Sequence, residues 1–203
     1  MPKSRTTIRD VRSQLTRQKI YDTAVSLFLK KGYEKVTIDE ICEQVGMTKG
    51  AFYSHFKSKD QIVIERMLAV DEHYRSDLLP QVTHIKSAAE RLVAFVQLVI
   101  KHMQELGKVT LRTAYAAQIG YDQRISAIMT EKRTLYKIIQ ELVNEAQQKG
   151  ELRNDISSAE ITQAIMHNIR GIVYNWCLST SKFNIEESGE SLAKILATGL
   201  VRR

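Results

Sequence analysis

The sequence predicts an all-α protein. Three observations carry the prediction: only two prolines and nine glycines punctuate 203 residues, apolar residues recur at i, i+3, i+4 and i+7 spacing, and segment after segment opens on Ser, Thr or Asn followed three residues later by Glu or Gln. About nine helices follow. Three make an N-terminal helix-turn-helix domain over residues 1–57, and six make a C-terminal helical bundle over residues 58–203.

The first helix, about 13–31, buries Ile20, Ala24, Leu27 and Phe28 and stops at Gly32. The second opens at Thr37 on an expected capping box, in which the Thr37 hydroxyl takes a first-turn amide and Glu40 reaches back to the Thr37 amide. It carries Ile38, Ile41 and Val45 on one stripe and ends at Gly46, whose backbone freedom permits a tight turn over Met47. The third, from Thr48 through Phe56, is anchored by Phe52 and Phe56 at i and i+4. A Ser58/Gln61 box starts the fourth, expected to reach Leu79 before Pro80 ends it. Ser87 with Glu90 starts the fifth, which carries Leu92, Phe95, Val96 and Val99 and halts at Gly107, and a sixth covers about 109–119. The seventh runs from about 121 to 149, where Gly150 closes it. Ser157 with Glu160 caps the eighth, to about 178, and Asn184 with Glu187 precedes the ninth, about 186–201. Neither a repeat nor a low-complexity linker is visible, so the fourth helix is expected to join the two domains directly.

The third helix has the chemistry of a DNA reader. Its anchors leave Lys49, Gly50, Tyr53 and His55 on other faces, a cationic and hydrogen-bonding surface without acid. A recognition helix offers its N-terminal side chains to base edges in the major groove, which puts Thr48, Lys49 and Gly50 closest. Lys49 can donate to guanine or to phosphate, and Gly50 lets the backbone approach. Tyr53 and His55 can donate to phosphates or pack on the first helix. Thr37, at a helix start, can serve both as cap and as phosphate ligand. Lys59 stands in the first turn of the fourth helix, an unfavourable place for a cation, and phosphate contact is the expected reason.

Charge agrees. Residues 1–60 hold 12 Lys and Arg against 7 Asp and Glu, and the remainder 18 against 16. Within the first twenty residues Lys3, Arg5, Arg9, Arg12, Arg17 and Lys19 face only Asp10, so an extended basic arm is expected before the first helix, either solvated or on phosphates, and the two are compatible. Catalytic classes find no support: the five histidines are dispersed, with no Glu-x-x-His pair, no metal-ligand motif, no Gly-x-Ser-x-Gly and no phosphate-cradling loop. Neither a cofactor nor a metal is expected. Cys42 and Cys177 stand in helical contexts without CxxC, as in a reducing cytoplasm. No membrane span or secretion signal is expected.

Residues 45–62, VGMTKGAFYSHFKSKDQI, resemble the recognition-helix signature of the TetR/AcrR family of bacterial transcriptional regulators. Val45, Gly46, Thr48, Gly50, Phe52, Tyr53, His55, Phe56, Ser58, Lys59, Asp60 and Ile62 fit it, and the upstream YDTAVSLFLKKGYEKVTIDEIC is similar to its first-helix pattern. Phe52, Asp60 and Cys42 depart from it conservatively. The resemblance covers about residues 14–64. It implies a cytoplasmic bacterial regulator that binds palindromic double-stranded operator DNA as a homodimer, with Arg17, Thr37, Thr48, Lys49, Gly50, Tyr53, His55 and Lys59 toward DNA. It also implies a dimer interface on the eighth and ninth helices, at Ile161, Ile165, Ile172, Leu192, Ile195 and Leu196.

The bundle's mixture of aromatic, Met and uncharged polar groups suits either plain core or a cavity for a small, apolar effector. The candidates are Phe95, His102, Met103, Tyr115, Gln118 and Tyr121, with Met129, Met166, Asn168 and Asn175. Asn168 and Asn175, i and i+7 on an otherwise apolar helix, are expected to be buried amides in need of partners. The function expected is repression of an adjacent operon, relieved by that effector. The alternative is a helical DNA-binding protein, architectural or constitutive, that senses no ligand.

Overall fold

The computed structural model describes residues 7–119, 133–180 and 183–200, with the backbone alone for 67, 68, 113 and 116–119. Its regular elements are helical: α1 (Ile8–Lys31), α2 (Ile38–Val45), α3 (Lys49–Tyr53), α4 (Lys59–His73), α5 (Ala88–Ile119), α6 (Thr134–Gln148), α7 (Ser158–Leu178) and α8 (Ile185–Gly199). The expected seventh helix is described as α6, and the expected eighth and ninth as α7 and α8. Gly107, at φ 79° and ψ 153°, breaks α5 where the fifth helix was expected to halt, so its halves counted separately make nine helices among the described residues. The described chain divides into two units. The first runs to Arg66 and takes in the end of α5 from Thr113; the second takes Met67–Arg112 and the helices from α6 onward.

In the first unit, α1 begins earlier than the sequence reading placed it. Thr7 and Asp10 form a reciprocal capping box, and the helix starts at Ile8 rather than near residue 13. Arg9 and Arg12 are therefore helical and not part of an extended arm, like Arg17 and Lys19, which fall within the expected helix as well, while Lys3 and Arg5 lie outside the described residues. Thr37 caps α2 through the Glu40 amide at 3.2 Å, but Glu40 does not close the box, because its carboxylate pairs with Lys31. Gly46, left-handed at φ 81° and ψ 45°, ends α2, and the Met47 amide returns to the Cys42 carbonyl at 2.9 Å. The chain thereby reverses into α3 within a few residues. Phe52 and Phe56 are fully buried beside Ile20, Phe28, Ile41 and Ile62. Each contributes about 1.5–3 kcal/mol of apolar burial, and their packing fixes the face that α3 presents outward.

In the second unit, α-helical geometry stops at His73. A π-helical stretch, Tyr74–Leu78, and a 3-10 turn, Leu79–Val82, carry the chain on, so the fourth helix does not reach Leu79 as an α-helix. Ser87 caps α5 through the Glu90 amide, yet the acid that completes the cap is Glu151, accepting from the Ala89 amide and the Ser87 hydroxyl at 2.8 Å each. The Ser157/Glu160 box on α7 is present as expected. Asn184 caps α8 by accepting from the Glu186 and Glu187 amides. Helix α7 packs against α6 and α8. Helix α8 approaches α5 so closely at Gly189 that a Cβ there would lie 2.8 Å from Ile100 Cγ2. Past the Gly107 break, Lys108 donates to the Ser179 carbonyl at 3.0 Å and Arg112 to the Cys177 carbonyl at 2.6 Å, cations closing the C-terminus of α7. The expected start of the seventh helix near Tyr121 and the expected end of the ninth at Val201 lie outside the described residues.

Candidate nucleic-acid interface

The N-termini of α2 and α3 meet at one edge of the first unit, because Lys49 Nζ lies 2.8 Å from Asp39 Oδ1 across the turn. Thr48 caps α3 by accepting from the Ala51 amide at 3.2 Å, which leaves its own O–H outward. Lys49 and Gly50 are exposed, and Tyr53 stands half out of the surface with its ring edge-on to Phe52. At Gly50 an added Cβ would meet, among the described residues beyond its own helix backbone, Thr48 Oγ1 at 3.9 Å, an ordinary contact that does not require a glycine there. The first turn of α3 contains no acid. Thr37 is exposed and His55 half-buried.

Two cations are placed by partners that the sequence did not reveal. Arg17 pairs with Glu65 and lies over the Phe56 ring, 4.3 Å from its centroid. Lys59 turns inward: its ammonium donates to the Tyr33 and Val36 carbonyls at 3.0 and 3.1 Å and sits 4.2 Å from the centre of the Tyr33 ring. The negative partner expected to be a phosphate is thus supplied by the protein itself, and burial lowers the Lys59 pKa. The Tyr33 hydroxyl in turn pairs with Asp60. Asp39, Glu65 and the two carbonyls were missed because partners 10 to 48 residues away leave no local signature. Asp39 alone had a visible cue, an acid in the first turn of a helix beside the reader.

Residues 20–65 match the family model for bacterial regulatory proteins of the tetR family, and residues 65–199 match the model for the C-terminal region of YsiA-like protein. The chain belongs to the TetR family. It is 24% identical over 185 residues to a probable acrEF/envCD operon repressor of Escherichia coli, covering 87% of this chain and 83% of that one. It is also 24% identical over 191 residues to the fatty acid metabolism regulator protein of Bacillus subtilis, covering 89% and 93%. Among solved structures, Thermus thermophilus FadR, a TetR-family repressor in complex with lauroyl-CoA, superposes with a TM-score of 0.72 at 18% identity over 92% of this chain and 96% of that one. This TetR-family chain is a DNA-binding transcriptional regulator.

TetR-family regulators also form dimers and bind small effectors, and of the described residues expected to serve those tasks Tyr115 and Gln118 fall in the first unit and the others in the second. Phe95 and Met166 are buried, and Met103 and Tyr115 half-buried. Tyr121, Met129 and the Gln118 side chain lie outside the described residues. His102 is nearly buried, its ring 4.5 Å from that of His73 and edge-on to Tyr74, and its Nε2 has no hydrogen-bond partner among the described residues. Burial and the neighbouring His73 lower its pKa.

Asn168 and Asn175 require a correction, for both are exposed, and the Asn168 amide donates to the Ala164 carbonyl of its own helix at 2.9 Å. At ~100° per residue they lie well round α7 from the centre of the buried arc formed by Ile161, Ile165, Ile169 and Val173. The dimer residues need correction too. Ile161, Ile165, Leu192 and Leu196 are buried within the protomer, so they have no surface to offer a second copy. Ile172 is half-buried, whereas Ile195 is 65% exposed, with Leu178 and Tyr174 also outward.

Proposed function

We propose that the protein is a repressor, acting in the bacterial cytoplasm, that binds a palindromic operator near its own gene as a homodimer and leaves it when a small apolar molecule occupies the regulatory domain. The observation that carries this reading is the outer face of α3: Thr48, Lys49, Gly50 and Tyr53 stand exposed over a buried Phe52–Phe56 anchor, with open space at the glycine for an approaching duplex. We assign DNA reading to residues 1–57, with Arg17, Thr37 and His55 as flanking contacts, and regulation and dimerisation to 58–203. Lys59 acts on DNA indirectly, by holding the segment after α1 against α4.

For dimerisation, the exposed faces of α7 and α8 take the role first given to their buried faces. Tyr174, Leu178 and Ile195 supply apolar contact, with Asn168 and Asn175 beside them. The effector faces Phe95, Met103 and Met166, with His102 as a polar group. The acyl ligand of the Thermus relative supports an apolar effector. No catalytic step, metal or cofactor enters the mechanism.

The test is a footprint on the DNA upstream of the gene, repeated with dodecanoate and with lauroyl-CoA. Protection of two half-sites about 34–36 Å apart or a multiple of that, relieved by either compound, supports the reading. Protection that an extended panel of apolar compounds leaves unchanged would favour the constitutive alternative, and absence of any protected site would remove the repressor assignment.

A further inference from the structure

We propose that Asp39 and Lys49 act as one donor–acceptor unit that selects a G·C base pair and rejects bare phosphate, which makes Asp39 a specificity-determining residue for operator binding. The inference rests on the reading of α3 as the element that enters the major groove.

A carboxylate on a surface built to meet a polyanion needs a reason. Stability supplies only a small one: an acid in the first turn of α2 gains modestly from the helix dipole, and the Asp39 and Lys49 side chains are 69% and 57% exposed, so their pairing adds little to folding. Nor is the acid committed elsewhere, because among the described residues its hydrogen-bonding and ionic contact is with Lys49. The consequence falls on the lysine. A free lysine is a point charge on a flexible four-carbon stem, which meets any phosphate and discriminates poorly among bases. Pinned at 2.8 Å by a residue of α2, the ammonium is held by two helices at once, and its pKa is raised by that bond.

The pair also changes what the surface can bind. Toward a phosphate it presents a neutralised cation and an uncompensated second carboxylate oxygen, so a non-specific contact is lost. Toward a base pair it presents a donor beside an acceptor. In the major groove guanine offers O6 and N7 side by side as acceptors and its partner cytosine the N4 amino donor, which matches an ammonium with several N–H groups beside a carboxylate; in the A·T pair the N6 amino donor separates the acceptors adenine N7 and thymine O4, and thymine adds an apolar methyl group.

The experiment selects a randomised duplex library with wild-type protein, Asp39→Asn and Lys49→Met, and titrates each against mixed-sequence duplex DNA over a range of salt. Thermal melts should show all three folded alike. The wild type should enrich half-sites with one fixed G·C pair. Asp39→Asn should keep the other positions, lose about tenfold preference at that pair, and bind mixed-sequence DNA more tightly with a log–log salt slope steeper by about one. Lys49→Met should lose the same preference without the gain on mixed sequence. Unchanged base preference and salt slope in Asp39→Asn would reduce the pair to an ordinary surface ion pair and overturn the proposal. A folded Asp39→Asn chain that binds mixed-sequence DNA more weakly would overturn it equally. A wild type that enriches no sequence would overturn the DNA reading itself, and this proposal with it.

Discussion

Lys59 shows what a single residue can and cannot disclose. A cation in the first turn of a helix is anomalous on inspection of the sequence, and the anomaly is real. Its resolution lies 23 and 26 residues upstream, in the Val36 and Tyr33 carbonyls, which no local pattern connects to it. Lys59→Ala should therefore act first on folding, removing a donor from both carbonyls, of which Tyr33 keeps the Val36 amide, at a cost of about 1–3 kcal/mol, read as a lowered urea midpoint. Loss of DNA affinity with an unchanged midpoint would restore the phosphate role.

His102 gives a second prediction at this scale. Burial and the neighbouring His73 hold its pKa in the folded chain below the ordinary value of about 6.5. The unfolded chain then takes up the proton first, so the contribution of the neutral ring is present above about pH 6.5 and is lost as the pH falls from there toward the depressed folded value. Glu105, 3.7 Å from Nδ1, opposes the shift. His102→Phe keeps an aromatic ring and removes the titration. Its stability relative to wild type should rise as the pH goes from about 7.5 to about 5, from roughly one unit above the ordinary value to roughly 1.5 below it, and a difference independent of pH would contradict the account.

At the scale of elements, turns were more legible than starts. Gly46 and Gly107 mark breaks that the structure reproduces with positive φ, because a left-handed backbone excludes nearly everything else. Helix starts were half legible: a hydroxyl in the capping position announces itself, but the acid that completes the cap need not be the local one. At α5 it is Glu151, more than 60 residues on. Glu151→Ala should cost about 0.5–2 kcal/mol and increase amide exchange in the first turn of α5, whereas Glu90→Ala should do neither. Equal effects of the two changes would show that the remote cap is unimportant. The start of α1 is illegible for a related reason: the box at Thr7 closes on Asp10, a shorter acid than the Glu or Gln of the usual motif.

At the scale of the whole molecule, the pattern of apolar residues identifies helices that must bury a face but not what they bury it against. Ile165 and Leu196 suggested an interface, and both belong to the core of one chain. Ile165→Glu should consequently unfold the protein, since it buries an unpaired charge. Ile195→Glu, on a side chain 65% exposed, should leave the fold intact and yield a monomer. Light scattering with circular dichroism separates the cases, and a dimeric Ile195→Glu protein would exclude α8's outer face from the interface. The reader was legible for a different reason: its parts lie within about 25 consecutive residues, so its spacing is itself its geometry.

The central claim, a DNA reader built on the exposed face of α3, is tested most directly by titrating the selected duplex at several salt concentrations. The account predicts that log affinity falls linearly with log salt, by about 10³ or more between ~50 and ~200 mM if six or more phosphates are contacted. Specific duplex should outcompete random single strands throughout. An affinity independent of salt, or equal binding to random single strands, would contradict it.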